Sequence, residues 1–527
     1  MYNEHYNQSD SKMELPASFI ERTRELLGDA AYTEFETALQ VETPVSIRLN
    51  PAKAMRVWKS ASFERAVPVP WATDAYYLSR RPAFTFDPLF HAGCYYVQEA
   101  SSMFVERALR TYVDRPVVML DLCAAPGGKS TLCRAALPEG SLLVANEVMR
   151  NRSQILAENL IKWGHPEVVV TNNDPADFTS LTHVFDVLLT DVPCSGEGMF
   201  RKDPVAVAEW SEANVQLCWQ RQRRILSDVW PALKPGGLLL YSTCTFNREE
   251  NEDNVAWIAD TLGAEVLEVA TDSSWGITGN LTDSSFPVYR FLPHRTRGEG
   301  FFLAVLRKQD EGLVSVSYDS AEDYVGIETM ELEPGDSSKG KSGKKEKGDK
   351  RVGKKAKVGK GKMVAEGKGT GAVPAEVKEW LRDATAYDFI VRADDIEAFP
   401  RAHASVYAQL RSQLKVLHAG VTLATMKGKD CLPHPSLALS NALALDKFPV
   451  VDLSEAQALA FLRKEAVTLE PEVPRGWLLL TFRNIPLGFV KNIGNRANNL
   501  YPAEWRIRST YLPEERITLE EALCPLD

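Results

Sequence analysis

The sequence predicts an α/β protein whose largest part is a doubly wound parallel sheet. Between residues 117 and 306, short runs rich in Leu and Val alternate with amphipathic segments, the pattern of a parallel sheet covered on both faces. A further run, Phe301–Leu306, is expected to be a late strand, and an antiparallel orientation is left open for it. The remaining expected strands and helices are Val117–Leu122, Ser141–Asn146, Glu167–Thr171, Phe185–Thr190 and Gly237–Ser242, with Lys129–Leu137, Asn151–Trp163 and Val215–Leu233.

Composition narrows the class of protein. A chain of 527 residues with 44% hydrophobic and 25% charged residues is typical of a globular protein of two or three domains. No apolar run reaches the roughly 18–20 residues that span a bilayer, and the N-terminus has no signal pattern, so a cytoplasmic protein is expected. Eight cysteines without a Cys-x-x-Cys pair predict neither a disulfide framework nor a structural zinc site.

The chain divides into four parts by pattern: residues 1–97, 98–309, 310–372 and 373–527. The first is expected to be a small α/β appendage, the second the doubly wound domain, and the last a small separate domain. Residues 339–368 contain 12 Lys, one Arg and three acids, so this segment carries +10 while the rest of the chain carries −20. We expect a disordered linker here, and its charge favours a polyanionic partner.

A turn rich in small residues follows the first strand and opens a helix, where backbone N–H groups can face a ligand. A nucleotide triphosphate is disfavoured because Cys123 stands where a P-loop needs glycine, and the Gly-x-Gly-x-x-Gly fingerprint for NAD is absent. The residues of this turn are Cys123, Ala124, Ala125, Pro126, Gly127, Gly128 and Lys129.

Three acids follow three of the expected strands: Glu147, Asp174 and Asp191. The first is placed to hold ribose hydroxyls, and the second is within reach of an adenine amino group. Capping of a helix is the alternative role for each acid taken separately. Together they predict a cationic adenosyl ligand without phosphates, which S-adenosylmethionine is.

Two cysteines also end strands, Cys194 in Asp-Val-Pro-Cys and Cys244 in Tyr-Ser-Thr-Cys. Because the strands are expected to be parallel, both thiols should open at the same edge of the sheet, which indicates covalent chemistry on a base. Cys123 and Cys133 are expected to be packing residues instead.

Four ordered blocks carry a family resemblance: DLCAAPGGKS, TDVPCSGEGMFRKDP, LKPGGLLLYSTCTFNREENEDNV and RFLPHRTRGEGFFLAVLRK. They resemble the RNA cytosine-5 methyltransferases of the Sun/Fmu (NOL/NOP/Sun) type, and the C-terminal part resembles the RsmF-like subgroup. The resemblance implies a Rossmann-like, seven-stranded S-adenosylmethionine-dependent domain at 98–309. It also implies an RNA-binding appendage at 1–97, a PUA-like RNA-binding domain at 373–527, and a monomer that acts on RNA, preferably 16S ribosomal RNA.

The same resemblance implies site roles. Cys244 is the nucleophile that adds to C6 of cytosine, Cys194 assists product release, and Asp191 binds the base and stabilises charge. DNA methyltransferases use the Pro-Cys cysteine, which would assign the attack to Cys194 instead. Lys129 is left open between a cofactor or phosphate contact and solvation of the helix start.

Other expectations concern the surroundings of the site. RNA contacts are expected from Arg48 and Asn50, from Arg290–Arg297 and from the C-terminal domain. The loop Ser195–Gly198, followed by Arg201, Lys202 and Asp203, resembles a substrate-facing lid. The polar residues after Cys244 are expected to cap the next helix: Asn247, Glu249, Glu250 and Asn251.

Three other functions stay open at this point: a transfer RNA cytosine-5 methyltransferase, a non-catalytic RNA-binding assembly factor, and a DNA cytosine methyltransferase. The two cysteines and the acids argue against the assembly factor. The Thr-Cys motif argues against DNA as the substrate.

Overall fold

A computed structural model describes residues 13–59, 63–310, 373–428, 430–494, 496–509 and 516–524. Two helices and a small sheet form its N-terminal part, with strand order β2-β3-β1-β4. Gly28 separates the two helices at φ +78°, a backbone conformation that favours glycine. The elements are α1 (Ala17–Leu27), α2 (Asp29–Leu39), β1 (Val45–Leu49), α3 (Pro51–Ala54), β2 (Val67–Pro68), β3 (Ala75–Leu78), α4 (Pro88–His91) and β4 (Tyr95–Val97).

The central part contains the predicted alternation of strands and helices. Its elements are α5 (Phe104–Tyr112), β5 (Val118–Asp121), α6 (Gly128–Ala136), β6 (Leu142–Asn146), α7 (Arg150–Trp163), β7 (Val168–Thr171), β8 (Phe185–Asp191), α8 (Pro204–Glu209), α9 (Glu212–Val229), β9 (Leu233–Thr243), α10 (Glu252–Leu262), β10 (Ala264–Leu267), β11 (Tyr289–Phe291) and β12 (Phe301–Lys308). Helix α9 ends before residue 233, which is already in strand β9.

The strands of the central part lie in the order β10-β12-β9-β8-β5-β6-β7, with β5 to β9 parallel and β12 antiparallel to β9. Alternate residues of each strand point to two apolar layers: Met119 belongs to one and Leu120 to the other. Helices α5, α6 and α7 cover the first face, and α9 and α10 cover the second. The predicted doubly wound, seven-stranded sheet is therefore confirmed.

The C-terminal part contains two further four-stranded sheets, β13-β14-β16-β17 and β18-β19-β20-β21. The expected linker at 310–372 lies, except for its first residue, outside the described residues. The elements are α11 (Ala375–Glu379), β13 (Tyr387–Arg392), β14 (Asp395–Pro400), α12 (Ala404–Gln413), β15 (Val416–Ala419), β16 (Val421–Lys427), β17 (Asp430–Pro433), α13 (Pro435–Leu439), β18 (Val450–Asp452), α14 (Glu455–Leu462), β19 (Gly476–Phe482), β20 (Ile485–Asn492), β21 (Ala497–Asn499) and α15 (Leu519–Leu523).

Strand β15 leaves the C-terminal part and pairs antiparallel with β7 of the central sheet. The connection from β7 to β8 contains only a 3-10 turn, Pro175–Phe178, and therefore supplies no α-helix to cover the sheet in this described region. Helix α12 takes that place, since Tyr407 and Leu410 are buried in the same apolar cluster as Val144 and Val169. With β11 and β15, the described sheet has nine strands, and one of them, β15, comes from the C-terminal part of the chain.

None of the helices within the described residues has both the length and the apolar composition that crossing a bilayer requires.

The expectation that Arg48 and Asn50 contact RNA is wrong, because both side chains are buried. The Arg48 guanidinium donates to Gln98 Oε1 and Thr131 Oγ1, at 3.2 and 2.7 Å, and lies over the Trp163 ring. Asn50 Nδ2 donates to main-chain oxygens on both sides of the boundary, at 2.8 and 2.9 Å. These residues attach the N-terminal part to helices α6 and α7.

Arg290, the first residue of the predicted RNA-contacting block, is also internal, with 1% of its surface exposed. Its Nε donates to Glu252 Oε1 at 2.6 Å, its Nη2 pairs with Glu252 Oε2, and its Nη1 donates to the carbonyl of Phe246 at 2.7 Å. The bidentate pair joins β11 to the start of α10. Arg295 and Arg297 of the same block remain exposed.

Replacing Arg290 by Met should lower the melting temperature by several degrees, because removing one partner leaves the Glu252 carboxylate buried and unpaired, at a cost of about 3–5 kcal/mol. The exposed neighbour gives a matched control: Arg295→Met should melt like the parent protein. Differential scanning fluorimetry measures both. An unchanged melting temperature for Arg290→Met together with weaker RNA binding would restore Arg290 as an RNA contact.

Candidate active site

The two cysteine-bearing segments are aligned by the parallel pairing of β8 and β9. In this register Asp191 lies opposite Ser242, so the residues that follow each strand leave the sheet at the same edge. Cys194 comes three residues after the end of β8, and Cys244 comes one residue after the end of β9. The structure brings the two predicted thiols together, with Sγ atoms 3.1 Å apart.

The two thiols are free cysteines joined by a hydrogen bond. The hydrogen bond that Cys194 shares with Cys244, together with burial, raises the pKa of the Cys194 thiol well above its ordinary value. Cys194 therefore keeps its proton near neutral pH and can donate it in the shared hydrogen bond.

Asp191 ends β8 with both carboxylate oxygens engaged. Ser242 Oγ donates to Oδ1 at 2.9 Å, and Lys129 Nζ donates to Oδ2 at 2.9 Å. Burial alone would lower the pKa of Lys129, but the Asp191 carboxylate outweighs it and raises that pKa to about 12. The site therefore presents a fixed ion pair, partly open to solvent, beside the thiols.

The buried carboxylate of Glu197 connects the segments that follow Cys194 and Cys244. Glu197 accepts hydrogen bonds from the main-chain N–H groups of Phe246 and Asn247, at 2.7 and 2.9 Å, and from Trp210 Nε1 at 3.0 Å. Asn247 Nδ2 also lies 3.1 Å from the other Glu197 oxygen. The segment after Cys194 thus holds the segment after Cys244 in place.

Glu250 forms the second half of this support. Its carboxylate accepts from the Ser195 N–H at 3.0 Å, Gln222 Nε2 at 2.6 Å and Asn247 Nδ2 at 2.8 Å. Burial, reinforced by the Glu197 carboxylate, raises the pKa of Glu250 to about 7. These hydrogen bonds connect the Glu250 carboxylate to other segments of the fold and not to the first turn of α10.

The expectation that the polar residues after Cys244 cap α10 is wrong for Glu249, Glu250 and Asn251, whereas Asn247 Oδ1 accepts from the Glu250 N–H at 2.9 Å in the turn that leads into the helix. Asn251 is at the cap position, yet its side chain makes no capping hydrogen bond and pairs with Thr243 Oγ1 at 2.6 Å. Glu249 pairs with Arg22 of α1.

The loop expected to be a lid is built into the floor of the site. Glu197 is buried, and the Gly198 N–H donates to the Cys244 carbonyl at 2.9 Å. The Arg201 guanidinium donates to the carbonyls of Val41, Glu42 and Gly298, and it therefore ties this loop to the N-terminal part. Two neighbours also have structural partners, since Lys202 pairs with Glu299 and Asp203 caps α8.

The predicted cofactor turn, Cys123–Lys129, follows β5 and runs into the first residues of α6. Gly127 stands before the helix at φ +116°, a backbone conformation that favours glycine. Arg152 Nη2 and Asn159 Nδ2 of α7 each donate to carbonyls of this turn at 2.8 Å. Burial raises the pKa of Cys123 and Cys133 well above the ordinary thiol value, which disfavours either as a nucleophile.

The acids predicted to hold the cofactor stand at the same edge of the sheet. Glu147 follows β6, is 3% exposed, and pairs with Arg152 at 3.3 Å. Beside it, Val148 and Met149 expose about half of their surface, as a ligand ring would require. Asp174 is exposed and caps the 3-10 turn that follows β7, so its capping role is real.

The end of β5 supplies an observation that fits a cationic ligand. Asp121 is fully buried, and Ser130 Oγ donates to its Oδ2 at 2.6 Å, while Oδ1 has no hydrogen-bond partner among the described residues. Burial, with a contribution from Asp191, raises the pKa of Asp121 to about 7. A positively charged group at this edge would favour the ionised form, as the sulfonium of S-adenosylmethionine would.

Sequence reasoning missed Asp121, Ser242 and Glu197 as parts of the site. The register of two parallel strands would have found Ser242, because the residue paired with Asp191 must adjoin it. No sequence signal distinguishes Glu197 from an exposed loop acid.

Three family models match successive parts of the chain. The model of 16S rRNA methyltransferase RsmB/F matches residues 113–307, that of the N-terminal domain of 16S rRNA methyltransferase RsmF matches 15–100, and that of the methyltransferase RsmF PUA domain matches 448–507.

Individual proteins match over nearly the whole chain. The ribosomal RNA small subunit methyltransferase F of Escherichia coli O7:K1 is 30% identical over 505 residues, which cover 93% of this chain and 96% of that protein. The protein of the same name from Erwinia tasmaniensis is 29% identical and covers 94% of this chain and 97% of its own. The crystal structure of PH0851 is 27% identical with a TM-score of 0.50, over 56% of this chain and 66% of that one.

The fold and the strand-end site define a Rossmann-like methyltransferase. Its methyl donor is S-adenosylmethionine. The chain belongs to the family of the ribosomal RNA small subunit methyltransferases F.

Replacing Asp121 by Asn should change how stability depends on pH. Because the folded-state pKa is raised from 3.8 to about 7, the stability linked to Asp121 is fully present below about pH 4 and is lost as pH rises through about 7. In cofactor-free protein the melting temperature of Asp121→Asn, relative to the parent, should therefore be higher at about pH 8 than at about pH 5. Asp283→Asn, at an exposed position, is the control. Parallel melting profiles for Asp121→Asn and the parent would contradict the assignment.

Proposed function

We propose that this protein transfers the methyl group of S-adenosylmethionine to carbon 5 of a cytosine in 16S ribosomal RNA, as a cytoplasmic monomer. The family supports ribosomal RNA as the substrate, since the relatives across the whole chain are small-subunit rRNA methyltransferases. The observation that carries the cytosine chemistry is the pair of thiols 3.1 Å apart beside the Asp191–Lys129 ion pair.

The first step is nucleophilic addition. Carbon 5 of cytosine is a poor nucleophile, so the Cys244 thiolate adds to C6, forms an S–C6 bond and makes C5 enamine-like. Cys194 supports this assignment because its raised pKa keeps it protonated, and its hydrogen bond stabilises a thiolate on Cys244. Addition places negative charge on the pyrimidine ring.

The ion pair receives that charge. Asp191 accepts a hydrogen bond from the cytosine amino group, and the Lys129 ammonium, which stays protonated, balances charge that develops at N3 and O2. Ser242 fixes the orientation of the carboxylate. We therefore assign Lys129 to the reaction, which the sequence left open.

Methyl transfer and release follow. When bound, S-adenosylmethionine would supply a sulfonium methyl group: C5 of the base would attack it, so that the C5–CH3 bond forms as the S–CH3 bond breaks and neutral S-adenosylhomocysteine is left. Once the C5 proton has been removed by a base, the S–C6 bond breaks and its electrons return to the Cys244 sulfur. The Cys194 S–H, 3.1 Å away, donates a hydrogen bond to this leaving thiolate and so assists release.

We place the cofactor along the ends of β5, β6 and β7. The turn Cys123–Lys129 approaches its methionine end, Glu147 holds the ribose hydroxyls, and Asp174 faces the adenine amino group. The buried and unpartnered Asp121 Oδ1 supports a cation at this edge. The target base must be unpaired or flipped to reach the thiols, at a cost of roughly a few kcal/mol.

The roles of the two cysteines can be separated by covalent trapping. Incubated with RNA and S-adenosylmethionine, Cys194→Ala should accumulate an RNA–protein adduct, since it forms the S–C6 bond but releases product slowly. Cys244→Ala should form none. Denaturing gel electrophoresis with labelled RNA detects the adduct, and Cys218→Ala serves as a thiol control. An adduct on Cys244→Ala would reverse the two assignments.

The substrate is tested by methyl transfer from labelled S-adenosylmethionine. We expect label in 16S ribosomal RNA or small ribosomal subunits, abolished by Cys244→Ser, and located at a single cytosine by bisulfite sequencing. Transfer RNA and DNA are assayed in parallel. Label only in transfer RNA would move the proposal to that substrate, and no label in any nucleic acid would favour a non-catalytic assembly factor.

A further inference from the structure

The C-terminal part reaches the edge of the sheet where the cofactor is placed. Lys415 lies between α12 and β15, and its main chain faces the residues that follow β7. The N–H of Lys415 donates to Asn173 Oδ1 at 3.0 Å, and its carbonyl accepts from the Asn172 N–H at 3.0 Å and from Asn173 Nδ2 at 3.3 Å. The side chain of Asn173, which is 7% exposed, thus both accepts from and donates to the main chain of Lys415.

Asn173 continues inward to a second asparagine. Its N–H donates to Asn146 Oδ1 at 3.0 Å, and its carbonyl accepts from Asn146 Nδ2, also at 3.0 Å. Asn146 is 1% exposed and ends β6. Asn146 and Asn173 therefore each donate and accept hydrogen bonds, and these bonds fix their positions in the sheet.

Asn146 in turn holds the cofactor turn. Its Nδ2 donates to the Leu122 carbonyl at 3.1 Å, and its own carbonyl accepts from the Ala124 N–H at 2.8 Å. The chain of contacts runs from Lys415 through Asn173 and Asn146 to the turn without a gap.

A parallel branch holds the residues expected to meet the adenosine. Asn172 Nδ2 donates to the carbonyls of Glu147 and Val148 at 2.8 and 2.9 Å, and Lys415 Nζ donates to Asn172 Oδ1 at 2.8 Å. The main chain of Lys415 therefore supports this second loop as well, because its carbonyl accepts from the Asn172 N–H, while the exposed Nζ contact adds little.

We propose that Asn173 and the main chain of Lys415 are positioning residues for S-adenosylmethionine. Segment 404–419 of the C-terminal part thereby supports the cofactor pocket from outside it. This inference rests on the proposed placement of the cofactor at the strand ends. Neither residue touches the cofactor. They act by holding Asn146 and, through it, the turn at Leu122 and Ala124.

The test is the affinity of the full-length protein for S-adenosylhomocysteine, measured by isothermal titration calorimetry. Asn173→Ala removes both side-chain bonds to Lys415, and we expect its dissociation constant to rise about tenfold. Lys415→Pro removes the donated N–H together with the side-chain ammonium, and Leu414 before it is already extended (ψ 152°) as proline requires, so a similar rise is expected. Lys415→Met keeps the main chain, and its affinity should stay within about twofold of the parent.

A matched control separates positioning from general destabilisation. Asn492 is also 7% exposed, and its side chain also both donates to main-chain carbonyls and accepts from a main-chain N–H, but it lies in β20. Asn492→Ala should lower the melting temperature without changing the affinity for S-adenosylhomocysteine. In steady-state kinetics, Asn173→Ala should raise KM for S-adenosylmethionine about tenfold and leave KM for RNA and kcat at saturating cofactor within about twofold.

Glu147→Ala distinguishes failure of this inference from failure of the proposed cofactor site. If Glu147→Ala loses affinity while folded Asn173→Ala and Lys415→Pro bind like the parent, the positioning role is overturned and the site stands. If Glu147→Ala also binds like the parent, the cofactor lies elsewhere and the proposed placement is overturned. A loss shared equally by Asn492→Ala would make the effect one of stability and overturn the positioning role.

Discussion

The parallel register of β8 and β9 determines the geometry of the whole site. Because Asp191 pairs with Ser242, the two strands deliver a carboxylate, a hydroxyl and two thiols to one edge. A shift of one residue in either strand would turn these side chains to the opposite face. The register is secured by apolar side chains that alternate between the two faces, so core packing and chemistry are set by the same pairing.

Burial of charge is the cost of this arrangement, and the fold compensates it with dense hydrogen bonding. Glu197 and Glu250 lie under the cysteine segments with main-chain and amide donors on their oxygens, and Asn247 contacts both. Such a network ties the loop after β8 to the loop after β9 more rigidly than apolar contacts would. The thiols are therefore held at hydrogen-bonding distance by residues that take no part in bond making.

Much of the fold could be predicted because buried parallel strands appear in sequence as short apolar runs, and the two cysteines stand where two such runs end. The site acids and the glycine turn were predictable for the same reason. The partners of charged residues were not: Arg290 and Glu252 are 38 positions apart, and nothing local distinguishes Arg290 from the exposed Arg295. The addition of β15 to the sheet was equally hidden, because main-chain pairing of β15 with β7 leaves no trace in residue type.

The position of β15 at the edge of the central sheet has a consequence for synthesis of the chain. Strands β5 to β12 emerge from the ribosome before β15. Until residue 419 has been made, the edge at β7 stays unpaired and the apolar face that α12 covers stays exposed. An unpaired edge and an uncovered apolar face are what chaperones bind and what aggregation exploits. During synthesis, the central sheet therefore remains incomplete at β7 until the charged segment 339–368 and then α12 and β15 have been translated.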